Sequence, residues 1–148
     1  MEIFTGNYQS CKRGNLISIS ADRGKSADFN GKVMLELAPE RVFWKIWREN
    51  IGKIPEEENT RYYIQEYYKQ VLSKVDVMQL LENERAPILL CYEPFSQFCH
   101  RHVLAEYLSI KYGIKVHEIE IGEDFRVIHR ARPQNIRTIL LDVMNANS

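Results

Sequence analysis

The sequence predicts an α/β fold, and the segment 87–121 carries most of that prediction. A continuously apolar run at 87–92 (PILLCY) is followed by a helical pattern from about 96 to 112, which ends at Gly113. The alternating run 114–121 (IKVHEIEI) then predicts a second strand. Strand, helix and strand in this order are typical of a βαβ unit with a right-handed crossover. We therefore expect a single three-layer domain with a short, mostly parallel sheet flanked by helices, in a Rossmann-like arrangement.

The N-terminal half adds strands and helices to this unit. Short apolar, β-branched runs predict strands at 2–5 and 15–20, and the glycine-punctuated segment 21–32 predicts a loop. Apolar residues at helical spacing predict helices at 39–50 and 60–74, and Asp76 is suited to cap a short helix after it. The apolar stripe of the first helix would consist of Val42, Phe43, Ile46 and Trp47. A base-stacking platform is one hypothesis for Tyr62, Tyr63, Tyr67 and Tyr68, but core packing is favoured because Tyr67 and Tyr68 lie on the apolar stripe. Trp44 and Trp47 are also interpreted as packing residues.

The chain divides into a core domain at 1–121 and a C-terminal extension at 122–148, whose terminal helix would pack on the same domain. An apolar side for that helix is formed by Ile136, Ile139, Leu140 and Val143. The arginines of this region are Arg126, Arg130, Arg132 and Arg137. Phosphate contact is one hypothesis for them, but the acidic residues that precede them favour a neutralised surface.

Composition limits the partners and the compartment. Twenty basic and twenty acidic residues give a net charge of zero, so nucleic acid remains a candidate partner without support from net charge. The chain has no apolar run long enough to span a bilayer and does not start like a signal peptide, so no membrane partner is predicted. Three widely spaced cysteines favour a cytoplasmic protein with reduced thiols.

The segment 89–108 (LLCYEPFSQFCHRHVLAEYL) concentrates the residues that suit chemistry. A helical wheel places His100 on the buried stripe, where Glu93 would be its hydrogen-bond partner. The same wheel predicts that His102 is exposed and pairs with Glu106. Cys91, inside an apolar strand, is interpreted as a small buried hydrophobic residue.

A candidate site follows from where this helix begins. In open α/β sheets ligands bind at the carboxyl ends of the strands, where a helix N-terminus favours an anion. We predict catalytic roles for Cys99, His100 and Glu93: Cys99 as a nucleophile, and Glu93 as a general base, a histidine orienter or a partner of Arg101. The predicted anion-binding residues are Arg101, Arg23 and Tyr8, which would converge if strands 2–5, 15–20 and 87–92 are parallel neighbours.

No metal and no cofactor is predicted. Cys91, Cys99, His100 and His102 offer suitable ligand atoms, but we expect the directions of strand and helix to keep them apart, and the chain has no CxxC motif. The glycine-rich nucleotide-binding motifs are absent from the sequence. Pro94, Phe95 and Phe98 also fill the loop that a rhodanese or phosphatase cysteine would need.

The same stretch resembles the family called domain of unknown function 488. Its signature, Leu-Cys-x-Glu, a proline-containing loop and Cys-His-Arg, is present as Leu90, Cys91 and Glu93 followed by Cys99, His100 and Arg101. Further similarity lies in IFTGNY, in LISIS leading to Arg23, in LAP at 37–39 and in YYIQEYYKQVLSKVD, so the resemblance covers about residues 2–121. It implies a compact α/β domain and supplies no established reaction.

Two function classes remain open from the sequence. One is a small enzyme that acts on a nucleotide or a nucleic-acid-derived phosphate. The other is a non-catalytic module that senses or sequesters an anionic metabolite. Both take a small anionic, phosphate-containing ligand, and neither fixes the oligomeric state. A partner-binding role of the arginine-rich C-terminus is a third hypothesis.

Overall fold

The computed structural model describes residues 1–147 and contains one six-stranded sheet of order β3-β2-β4-β1-β5-β6. The strands are β1 (Ile3–Asn7), β2 (Asn15–Ser18), β3 (Lys32–Val33), β4 (Pro87–Cys91), β5 (Val116–Ile121) and β6 (Val127–Arg130). All neighbouring pairs are parallel except β5 and β6, which are antiparallel. The predicted α/β class and the mostly parallel sheet are therefore confirmed.

The strand β4 lies between β2 and β1 and is buried along its whole length. An unbroken apolar strand of this kind requires cover on both faces of the sheet. Because β1, β2 and β4 run parallel, their carboxyl ends meet at one edge of the sheet. That arrangement is the condition on which the predicted site depends.

The helices are α1 (Arg41–Asn50), α2 (Glu56–Gln70), α3 (Val77–Leu81), α4 (His100–Tyr112) and α5 (Asn135–Ala146). Buried residues from all five helices share one core cluster with Ile3, Ile17, Leu89 and Val116 of the sheet. The alternate residues Ile88, Leu90 and Ile119 point to the other face, which is covered by loop residues such as Tyr8, Cys11 and Phe29. Helices thus cover one face of the sheet and loops cover the other, so the helical layer on both faces that the three-layer, Rossmann-like expectation requires is present on one face only.

Several boundaries follow the sequence closely. The Asp76 side chain accepts a hydrogen bond from the Gln79 N–H and caps α3 as expected. Gly113 ends α4 in the left-handed conformation (φ 69°), which glycine adopts without steric cost. Tyr67 is buried in the core, and its hydroxyl donates a hydrogen bond to the Leu37 carbonyl.

Other details differ from the expectation. The two-residue strand β3 begins at Lys32, the last residue of the segment predicted as a loop, and pairs with the free edge of β2. The apolar stripe expected on α1 is correct for Phe43 and Trp47, which pack in the core, and wrong for Val42 and Ile46, which are exposed. Trp44 is also exposed rather than packed in the core.

The residues after 121 extend the same sheet and the same helical layer. β6 pairs with β5, and α5 packs against α2 and α4 with Ile136, Ile139, Leu140 and Val143 buried. Three of the four arginines of this region have side-chain partners: Arg130 pairs with Glu120 and Arg137 with Glu106, while Arg132 donates to Thr5. Within residues 1–147, every helix is too short or too polar to cross a bilayer.

Candidate functional site

A cavity of about 640 Å³ opens where the carboxyl ends of β2 and β4 meet the N-terminus of α4. Its volume lies within the range typical of small-molecule sites. Cys91, Glu93, Cys99 and His100 line one side, and residues of α1 line another. The cavity therefore lies at the sheet edge where the sequence predicted a site.

Three side chains meet at the inner wall of this cavity. The His100 Nδ1 atom lies 3.5 Å from the Cys91 Sγ and 4.0 Å from the Cys99 Sγ. The other ring nitrogen, Nε2, lies 2.8 Å from the Ile19 carbonyl oxygen. All three residues are nearly buried, with exposed fractions of 6% for Cys91, 4% for Cys99 and 5% for His100.

This convergence corrects the expectation that strand and helix directions keep the ligand atoms apart. The sulfur atoms and Nδ1 all lie within 4.8 Å of one another. Cys99 precedes α4 as its N-cap residue in an extended conformation (φ −159°, ψ 148°), so the helical wheel does not describe its direction. His102 takes no part in the cluster.

The electrostatic surroundings distinguish the two thiols. Burial opposes ionisation of Cys99, but the hydrogen bond with Cys91, the charge of Arg101 and the hydrogen bond with His100 outweigh it. The pKa of Cys99 therefore lies well below its ordinary value of 9.0. Burial and the neighbouring Cys99 raise the pKa of Cys91 well above that value, so Cys91 keeps the proton of the pair.

Glu93 lies at the rim of the cavity and is half-buried. Burial raises the pKa of its carboxyl group, and the charge of Cys99 raises it further. A raised pKa makes a carboxyl group a better candidate for a general acid or base than a carboxyl group at its ordinary value. Its predicted hydrogen bond to His100 is wrong, because His100 contacts the Ile19 carbonyl and Cys91 instead. Ile19 directly follows β2, which lies next to β4, and its carbonyl is therefore within hydrogen-bond distance of the His100 ring.

Arg101 points away from the cavity and is fully buried. Its Nη2 atom donates to Glu118 Oε2 at 2.8 Å, and its Nε atom lies 3.1 Å from Oε1. Glu118 also accepts a hydrogen bond of 2.7 Å from the Thr5 hydroxyl. The guanidinium thus forms an ion pair on β5 and acts on Cys99 through its charge, while an anion-binding role remains a prediction.

His102 is fully buried, which corrects the prediction that it is exposed beside Glu106. Its Nδ1 atom lies 3.9 Å from Glu118, and neither ring nitrogen has a hydrogen-bond partner within residues 1–147. Burial and the charge of Arg101 lower its pKa to about 4, so the imidazole is neutral. The helical wheel failed because β5 and α5 cover the side of α4 that the wheel predicted to face solvent. Glu106, the expected partner of His102, pairs with Arg137 instead.

Two further predicted residues lie outside the cavity lining. Tyr8 is buried behind it, where the hydroxyl contacts the side chains of Ser18 at 2.7 Å and Ser20 at 2.8 Å. Arg23 is exposed on the loop after β2 in a left-handed conformation (φ 62°). Of the six predicted site residues, the structure brings together Glu93, Cys99 and His100 at the cavity.

The helix α1 contributes site residues that the sequence reasoning missed. Arg41, Trp44 and Arg48 line the cavity at spacing i, i+3 and i+7, which places them on one face of α1. The Arg48 guanidinium lies over the Trp44 ring, 5.5 Å from its centre. Tyr92, also on the lining, donates a 2.5 Å hydrogen bond to Asp22. The pattern Arg-x-x-Trp-x-x-x-Arg was the available signal, but the sequence analysis assigned Trp44 to the core.

Comparison with known proteins identifies the family. The family model described as DUF488-N3a, the active DUF488-N3 subclade, matches residues 9–111. Neither the curated proteins nor the solved structures provide a significant match. The matched residues include β2, β4, the cavity wall of α1 and the Cys-His-Arg run that opens α4. The chain therefore belongs to the DUF488 family.

Proposed function

We propose that this protein binds a small phosphate-containing ligand, most simply a nucleotide, in the cavity and catalyses a reaction on it. The observation that carries the proposal is the pairing of two chemistries around one cavity. Arg41, Trp44 and Arg48 lie on one wall, and Glu93, Cys99 and His100 lie on another. The first set suits recognition of a nucleotide, and the second suits chemistry.

The α1 wall offers what a nucleotide requires. Arginine side chains form charge-assisted, bidentate hydrogen bonds with phosphate groups, and an exposed indole stacks on a base. Within residues 1–147, neither Arg41 nor Arg48 has a carboxylate within ion-pair distance, so both charges are available. The N-terminus of α4 adds a favourable dipole for an anion at the same cavity.

The opposite wall offers proton transfer and a reactive sulfur. Glu93 has a raised pKa and lies beside Cys99, so it is the candidate general acid or base. Cys99 and His100 form the reactive centre at the depth of the cavity. The two walls together support an enzyme more than they support a structural protein.

The test is ligand binding by chelator-treated protein in a thermal-shift assay. Nucleoside monophosphates and inorganic phosphate are compared with a nucleoside that lacks phosphate. A ligand at a hundred times its Kd stabilises the folded state by about 2.7 kcal/mol, which corresponds to a rise in Tm of roughly 5–11 °C for a chain of this size. The nucleoside should produce a much smaller shift.

A matched pair of α1 variants checks where the ligand binds. Arg48→Ala removes a guanidinium from the cavity and should weaken nucleotide binding by about 10-fold or more. Lys45→Ala removes an exposed charge from the same helix away from the cavity and should leave affinity unchanged. Absence of any phosphate-dependent shift, or equal affinity in the two variants, would reject the proposal.

A non-catalytic binding module is the second candidate, and the low exposure of the thiols favours it. Only 4% of Cys99 is accessible, which leaves little room for direct attack on a ligand. Cys99→Ser and Glu93→Gln distinguish the two functions. An enzyme loses turnover in both variants while it still binds the nucleotide, whereas a binding module shows unchanged affinity and has no turnover to lose.

A further inference from the structure

We propose that Cys91, Cys99 and His100 form a three-ligand site for a divalent zinc ion, with a fourth position that opens into the cavity. The metal site lies at the same cavity as the proposed function, and it rests on that function only for the identity of the phosphate-containing molecule that the cavity binds. It changes the role of Cys99 from a nucleophile to a metal ligand.

The distances fit a tetrahedral ion. Zinc binds thiolate at about 2.3 Å and imidazole at about 2.0–2.1 Å, so tetrahedral angles place sulfur and nitrogen ligands about 3.6 Å apart and two sulfurs about 3.8 Å apart. The observed separations from His100 Nδ1 are 3.5 Å to Cys91 and 4.0 Å to Cys99, and no pair exceeds 4.8 Å. Closure by at most about 1 Å would complete the geometry.

The surroundings of the cluster are those of a prepared ligand set. The Nε2–H of His100 donates to the Ile19 carbonyl, which leaves the lone pair of Nδ1 directed at the two sulfurs. Metal-binding histidines usually donate their second nitrogen to a carbonyl or a carboxylate in this way. The Ser20 hydroxyl donates a hydrogen bond of 3.6 Å to the Cys91 sulfur, so a second ligand is also held from outside the cluster.

Charge also favours an ion at this position. Two thiolates and one Zn²⁺ have no net charge, which makes burial of the three groups acceptable. The positive charge of Arg101 is paired with Glu118 through a bidentate contact, which offsets its repulsion of a cation at this position. Thiolate and imidazole ligands select zinc over magnesium or calcium, which prefer oxygen.

The open position points to catalysis. Zinc enzymes keep three protein ligands and leave the fourth position for water or substrate, whereas structural zinc sites are closed by four protein ligands. All three ligands line the cavity, and within residues 1–147 the cluster has no fourth histidine, cysteine or carboxylate. Glu93 lies at the same cavity, where it would exchange a proton with water at the fourth position.

The test uses the full chain, freed of metal by a chelator and titrated with Co²⁺ and then with Zn²⁺. We expect one equivalent of Co²⁺ to give the visible bands of tetrahedral cobalt with thiolate-to-metal charge transfer, and Zn²⁺ to displace it with a Kd below about 1 µM. Zn²⁺ should also protect two of the three cysteines from alkylation. This thiol readout needs no variant.

Variants separate the site from other binders. Cys91→Ser and Cys99→Ser should each weaken Zn²⁺ binding by more than about 100-fold. Cys11→Ala removes the remaining buried cysteine, and His129→Ala breaks the surface pair of His117 and His129, whose rings lie 5.0 Å apart. Both control variants should keep full affinity, and circular dichroism confirms that each metal-free variant is folded.

Cys91 distinguishes a metal ligand from a nucleophile. If Cys99 is a nucleophile and Cys91 is no metal ligand, the substitution Cys91→Ser leaves both the Zn²⁺ affinity and the turnover unchanged. That result, or Zn²⁺ binding that His129→Ala abolishes, or alkylation of all three cysteines in the presence of Zn²⁺, would overturn the metal site. Phosphate-dependent stabilisation of the chelated protein is measured separately, so the proposed function can stand when the metal site fails.

Discussion

Removal of one partner from the buried ion pair between Arg101 and Glu118 should be among the most destabilising single substitutions in this fold. Glu118 accepts hydrogen bonds from the Arg101 guanidinium and from Thr5, and both members of the pair are almost completely buried. The substitution Glu118→Gln keeps the size of the side chain and removes its charge. It leaves the Arg101 cation buried without its carboxylate partner.

The expected magnitude follows from that unpaired charge. Removal of one partner from a buried ion pair costs about 3–5 kcal/mol, whereas an exposed pair contributes less than about 1 kcal/mol. For a chain of this length, the loss corresponds to a fall in Tm of roughly 6–20 °C. Glu120→Gln is the matched control, because Glu120 lies two residues along β5 and pairs with the more exposed Arg130.

Urea unfolding followed by circular dichroism measures both variants. We expect a large fall in the unfolding midpoint for Glu118→Gln and a change within about 1 kcal/mol for Glu120→Gln. The double variant Arg101→Leu/Glu118→Leu should recover part of the loss, because no charge is then left unpaired. Equal, small effects of the two single substitutions would refute the reasoning.

The same carboxylate predicts the response to acid. Burial raises the pKa of Glu118, but the hydrogen bond and charge of Arg101 outweigh it, so the folded-state pKa lies below the ordinary value. A depressed pKa contributes stability above the unfolded value of about 4.3, and this contribution is lost as pH falls through the folded value. Between the unfolded and the folded pKa the wild type should therefore lose stability more steeply with falling pH than Glu118→Gln, and parallel curves would contradict the assignment.

Three further expectations concern single positions. His102→Ala should destabilise by about 2–4 kcal/mol because it leaves a cavity, whereas His102→Leu should be close to neutral because it removes a polar group that has no partner; urea unfolding checks both. Gly6→Ala should lower the unfolding free energy by about 1–3 kcal/mol, since a Cβ there meets the Cys11 sulfur and lies 2.9 Å from the Ile119 carbonyl. In metal-free protein, iodoacetamide should modify Cys99 before Cys11, whose pKa burial raises to about 11; mass mapping that finds Cys11 modified first would contradict this order.

Local pattern was sufficient where one segment decides its own structure. The apolar run of β4 requires a buried strand whatever its neighbours are, and Asp76 and Gly113 bound their helices through contacts within a few residues. The position of the cavity could also be predicted, because parallel strands followed by a helix always bring the carboxyl ends and the helix N-terminus together. The family signature pointed to the same edge.

Side-chain directions at the site could not be predicted in the same way. The wheel assigned one buried stripe to α4, yet the helix is covered by β5 on one side and by α5 on another, so His102 is buried as completely as Arg101. The partner of His100 is the carbonyl of Ile19, the residue after β2, which lies eighty-one residues away in the chain. Contacts at that separation depend on the order of strands in the sheet.

The sequence by itself determined the α/β class, the parallel unit around β4 and the segment that carries the site, because hydrophobic period and helix-end chemistry are local properties. Only the tertiary structure decided that Cys91, Cys99 and His100 meet, that Arg101 is neutralised by Glu118, and that α1 supplies the cationic wall of the cavity. The physical reason is that these features depend on distances between segments far apart in the chain. Sheet order and helix packing fix those distances, and both depend on many segments of the chain at once.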